Sequence, residues 1–223
     1  MYARTIKLCV ITSEDKEGCR MKFKPLWRHF REMKHYFIAT TLVFVVGIFL
    51  GAVYNQQFYD FLAAQTKGMK DLVNKINSQE TPQIWFFVVI FLNNSIKALL
   101  FIFSGLFFGL LPLFSMISNG LLLGFLISRT PASYVFEMVA KGILPHGIIE
   151  LPAIIIASAY GLKLGDLVFK GMFSLFRPAA LSNVKKELIQ VLKLTGPLAV
   201  VLVGALFIAA IIESTLTFWL AQG

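Results

Sequence analysis

Acidic residues are scarce in this chain: 12 Asp and Glu stand against 21 Lys and Arg among 223 residues, and charged residues of both signs make up only 15%. Soluble domains carry about 25% charge and 45–50% apolar residues. A hydrophobic share of 57% with 22 Phe, and a mean hydropathy of +0.73, therefore excludes an ordinary water-soluble fold. Cysteine is rarer still. Cys9 and Cys19 are the two present, without a CxxC or companion histidines, which argues against a disulfide framework and reads as a pair of reduced thiols. A nucleotide-binding loop is lacking, as is an external nucleophile-and-base set, so the chain does not read as an enzyme. The formal charge of +9 flanks apolar segments, which suits anionic membrane lipid and speaks against nucleic acid.

Five apolar segments, near 37–54, 84–110, 113–128, 144–160 and 195–220, meet or approach the ~20 residues that cross a bilayer. They predict an all-α polytopic membrane protein with one membrane domain over 37–220, preceded by a basic tail over 1–36. Residues 1–20 share no pattern with the rest of the chain and read as an extension upstream of Met21. The turn around Pro112 is short, so the second and third spans form a tight hairpin; Gly105, Gly109 and Pro112 leave a broken or re-entrant helix open there. With the amino terminus inside, fifteen of the 21 Lys and Arg fall in cytoplasmic segments and five outside, which places the carboxyl terminus outside the plasma membrane.

Three connecting segments are amphipathic. Phe23, Trp27, Phe30 and Met33 recur at helical spacing among basic residues and predict an interfacial helix. Within 161–194, Leu164, Val168, Met172 and Leu175 form one stripe and Val184, Leu188 and Val191 another, read as cytoplasmic surface helices. In the outer loop Phe58, Phe61, Leu62 and Leu72, Val73, Ile76 give two weak helical patches.

Small and polar residues inside the spans are the sharper signals. Gly47/Gly51, Gly105/Gly109 and Gly120/Gly124 each make GxxxG, the spacing that lets helix backbones approach, within a monomer or across a homodimer. An ionisable group at the bilayer centre costs at least ~2.5–3.5 kcal/mol. Asn94 and Lys97 share a face of the second span, and Asn119 of the third lies at a similar depth, about 15 Å in, so an interhelical amide pair is expected. His146 and Glu150, four residues apart after Pro145, share a face of the fourth span, with Glu213 of the fifth at a common depth near the outer boundary. The group reads either as a structural ion pair near a water-filled mouth, joined by Lys97, or as a metal or proton-handling site. Two carboxylates and an imidazole have the donor chemistry for a zinc-like ion; one histidine without an adjacent glutamate falls short of the zinc-protease motif.

Three blocks carry a resemblance. "FLNNSIKALLFIFSGLFFG", "SNGLLLGFL" and "LPHGIIELPAIIIASAYGLKLG", in this order over Phe91 to Leu164, resemble the stage II sporulation protein M (SpoIIM) family of bacterial and archaeal membrane proteins. The matching positions are Asn94, Asn119, Gly120, His146, Gly147 and Glu150, the last three carrying the HGxxE signature of the broader membership. The resemblance implies a multi-span protein without catalytic activity or resident cofactor. It also implies a scaffold that anchors envelope partners such as peptidoglycan hydrolases, as in engulfment during sporulation. The alternative from another class is a small transporter or intramembrane metalloprotein centred on His146 and Glu150.

Overall fold

The computed structural model describes residues 30–139, 144–175 and 177–222, the side chains at 144–146, 179 and 216–222 excepted. Among these residues every regular element is helical: α1 (Lys34–Val53), α2 (Tyr59–Asn77), α3 (Pro82–Ser104), α4 (Leu110–Arg129), α5 (Ala132–Glu137), α6 (Leu144–Phe173) and α7 (Pro178–Gln222). The extension over 1–20 and most of the tail helix lie outside the described residues. Of that helix's stripe, Met33 is buried and the Phe30 ring meets Phe37 edge-on at 5.7 Å.

Five helices, α1, α3, α4, α6 and α7, are long and apolar enough to cross a membrane. Their surfaces are what hydrocarbon requires: Ile38, Leu42 and Phe49 on α1, Leu100 on α3 and Phe114 on α4 are exposed. Between the helices Ala98, Ile102, Ala157, Tyr160, Leu198 and Leu206 form the core.

The α3–α4 hairpin follows from its residues. After Ser104 the chain tightens into a 3₁₀ turn over Gly105–Phe107, and Phe108 and Gly109 then adopt φ of 62° and 68°. Two successive left-handed residues reverse the chain. Pro112 falls in the first turn of α4, where a missing N–H leaves no bond unmade. The break therefore lies between two helices, and the second span stops at Ser104 where an end near 110 was expected.

Two glycine seams fix the register. A Cβ added to Gly51 would sit 2.1 Å from the Leu121 carbonyl oxygen, and one on Gly124 would sit 2.0 Å from that of Ile48. Gly47 and Gly120 face each other one turn earlier, with added Cβ atoms 2.6 Å from the Ile117 and 2.3 Å from the Phe44 carbonyl oxygen, so α1 and α4 run side by side in the same direction. The second seam joins α3 and its turn to α6. Added Cβ atoms on Gly105 and Gly161 would lie 2.1 Å from Gly161 O and 2.0 Å from Phe101 O, and one on Gly165 would lie 2.6 Å from the Gly109 amide nitrogen. This pair is parallel too. Helices separated by one intervening span must point the same way in an alternating five-span bundle, and both seams obey that rule.

The segment 161–194 differs from expectation. It is not a pair of surface helices but the continuation of α6, 30 residues long, and α7, 45 residues long. At 1.5 Å per residue these reach about 45 Å and 67 Å, well beyond the hydrocarbon. Leu164, Leu167 and Val191 stay buried in the extension, so the helices have reason to remain packed after their apolar runs end. At the opposite end α2 is one helix of 19 residues, not two patches, tucked under α3 and α4 by buried Leu62 and Ile76.

Candidate functional site

The glycines named from spacing all lie at contacts within one chain. Gly120 and Gly124 belong to the α1–α4 seam, and Gly105 and Gly109 to the turn pressed against α6. Gly161 and Gly165, their partners, went unrecognised as a seam because they sit where charge begins to appear.

Asn94 is buried in α3, beside buried Ser95. Its amide oxygen accepts from Asn93 Nδ2 at 3.2 Å. Asn119 of α4 is half-buried, and among the described residues no hydrogen bond joins it to Asn94, so the expected interhelical amide pair is not formed. The seams explain why: α3 packs on α6 and α4 packs on α1, which turns the two asparagines toward different neighbours.

The register pairs Asn94 with another group instead. Gly105 faces Gly161 and Gly109 faces Gly165; the same offset, carried outward along parallel helices, brings Asn94 level with half-buried Glu150. Glu213 does not share that level. Tyr160 bonds Val191, and Phe207 packs edge-on against both Phe87 and Phe91 at 5.4 Å. Both registers place Glu213 about three helical turns, or ~18 Å, beyond Glu150, near the start of α3. The common depth expected for the two glutamates is therefore corrected. The outer ends of the apolar runs do not lie at one level: the same offset sets Leu144, where α6 begins, level with Val88 inside α3, whereas α7 runs on to Gln222.

Glu213 turns one carboxylate oxygen into the interior, and neither it nor Glu150 is without a partner. His146 lies in the first turn of α6, its side chain outside the described set. Among the described residues no three His, Cys, Asp or Glu side chains gather as metal donors. Lys97 is exposed on α3, on the flank of the face that meets α6, and among the described residues does not join the glutamates.

A second polar cluster, at the end where α6 and α7 turn, was not read from the sequence. Tyr36 of α1 donates to Asp166 Oδ2 at 2.5 Å, and Lys170 donates to the same oxygen at 2.6 Å. Lys163 pairs with Glu187 of α7 and holds its ammonium 5.3 Å from the Tyr36 ring centroid. Deeper in, buried Tyr160 donates to the Val191 carbonyl at 2.9 Å, which Thr195 Oγ1 also reaches at 3.0 Å. The cluster ties α1, α6 and α7 together, and its chemistry is that of a structural lock: every charge named has an opposite charge or a hydroxyl beside it. At the far end Arg129 lies 5.0 Å from the Tyr59 ring centroid and 5.4 Å from that of Phe125, clamping α2 to α4.

Comparison with curated proteins and with solved structures finds no match for this chain. The family model described as Stage II sporulation protein M matches residues 40–218, from the upper part of α1 to the last turns of α7 and so across all five spans. With its seams, polar positions and five apolar helices on that framework, the chain is a multi-pass membrane protein of the stage II sporulation protein M family.

Proposed function

We propose that this protein is a non-enzymatic scaffold of the cell membrane that anchors peptidoglycan-remodelling partners. The Lys and Arg distribution supports an orientation with the α6–α7 turn in the cytoplasm and α2 outside, where such partners work. The observation that carries the reading is the outer helix. α2 buries Leu62 and Ile76 against the bundle yet leaves Phe61, Met69, Leu72 and Val73 exposed, an apolar face at the external surface. A shallow groove beside it, lined by Thr66, Met69, Lys70, Val73, Asn74 and Leu126, gives an incoming chain both apolar and polar contacts.

In this reading Glu150 and Asn94 hold helices in place. The discriminating experiment replaces His146 and Glu150 together with leucine in the native host. A scaffold tolerates the exchange, because removing both members of a polar pair leaves no lone buried charge. A transport or metal site predicts normal amounts of protein in the membrane and the phenotype of a deletion.

A further inference from the structure

The lipid-facing side of α3 carries an anomaly. Asn93 and Lys97, one turn apart, are both exposed on a helix that crosses the membrane. Their neighbours on the stripe, Leu92, Ile96 and Leu100, are each about half exposed and wholly apolar. Asn93 gives its Nδ2 proton to Asn94 and so presents Oδ1, an acceptor, to the outside. Lys97 Nζ presents donors. Among the described residues neither of these atoms has a partner. Ionisable groups within membrane spans almost always face other protein or water, because hydrocarbon offers no compensating bond.

We propose that this stripe of α3 is the contact face of a twofold dimer, covered by a second copy of the chain. Around an axis normal to the membrane the two α3 helices run parallel, and every contact is made twice. The Cα–Cβ bond of Lys97 tilts toward the helix N-terminus, toward the level of residue 93. With the axis passing between Asn93 and Lys97, which stand about 40° apart around the helix, Lys97 of each copy donates to Asn93 Oδ1 of the other, and Leu100 packs beside the axis. The face is self-complementary: it carries both donor and acceptor, which a homodimer requires and a different partner would not. The GxxxG pairs named from the sequence do not compete for this role, since their close backbone contacts lie within the chain.

Single cysteines in a Cys9→Ser, Cys19→Ser background, oxidised in native membranes, test the geometry without disturbing the core. Leu100→Cys is expected to cross-link to a band of twice the chain mass, while Leu42→Cys, on the exposed face of α1, stays monomeric. Equal cross-linking at the two positions overturns the proposal, as does a Leu100→Cys adduct with a different protein. Energy transfer between labelled copies diluted in liposomes supplies the second readout. Lys97→Leu is expected to weaken association about tenfold, the effect of losing two symmetric interhelical bonds, and Lys97→Arg to retain it. Because the leucine variant removes a charge from a lipid-facing position, it leaves the monomer folded; unchanged association in that variant also overturns the proposal.

Discussion

Gly105 and Gly161 lie so close that a methyl group on Gly105 would stand 2.1 Å from the Gly161 carbonyl oxygen. Neither backbone can yield, since each belongs to a helix or turn held by its own bonds. Gly161→Leu and Gly124→Leu are therefore expected to cost at least the ~1–3 kcal/mol of an overpacked core and to lower the melting temperature in detergent. Gly204→Leu is the control: nothing lies within 4 Å of a Cβ there. Equal melting for all three proteins would remove the seams from the account.

The register of α3 against α6 is testable with disulfides. Ala98 and Ile154 are both buried and stand level by the same offset as Gly105 and Gly161. Ala98→Cys with Ile154→Cys, lacking the native cysteines, is expected to close a bond within one chain. Asn94→Cys with Glu213→Cys is expected to remain reduced, and a bond there would restore the common depth that the structure denies.

Tyr160→Phe removes a buried hydroxyl that donates to Val191, with an expected loss of about 0.5–1.5 kcal/mol by denaturant or thermal unfolding. The Lys163–Glu187 pair is different, since the glutamate is half exposed. A double-mutant cycle across it is expected to return a coupling of about 1 kcal/mol or less that shrinks with added salt. A larger, salt-insensitive coupling would mean that the pair lies deeper in the membrane than the ends of α3 and α4 imply.

Much of this fold was legible because hydrocarbon leaves few choices. Runs such as that from Phe37 to Val53 must be helices, and the left-handed turn after Ser104 was foreshadowed by Gly105, Gly109 and Pro112. What spacing cannot name is the facing helix. GxxxG marks a surface for close approach, yet only the folded chain shows that Gly120 meets Gly47 and that Gly105 meets Gly161. Charge misled the reading of 161–194. Lys163 and Asp166 look like the end of a span, but Glu187, Tyr36 and Lys170 neutralise them from neighbouring turns and helices, so α6 continues. Asn94 was identified as a buried polar residue while its level with Glu150 was not, because the offset between α3 and α6 is set by Gly161 and Gly165, a pair hidden in that same charged stretch.

Orientation rests on the asymmetry of basic residues, and reporter fusions read it directly. Fusions at Gly68 and Gly223 are expected to report outside and one at Asn183 inside. A cytoplasmic Gly223 contradicts the five-span alternation on which the parallel seams depend.

The scaffold reading is tested most directly by purifying the full-length protein from its host membranes and identifying what accompanies it by mass spectrometry, alongside a variant carrying Leu72→Ser and Val73→Ser on the exposed face of α2. The account predicts that peptidoglycan-remodelling proteins co-purify with the native chain and fall away from the variant, while both proteins melt alike. Purification of the native chain without any such protein, or identical partners for both chains, would contradict it.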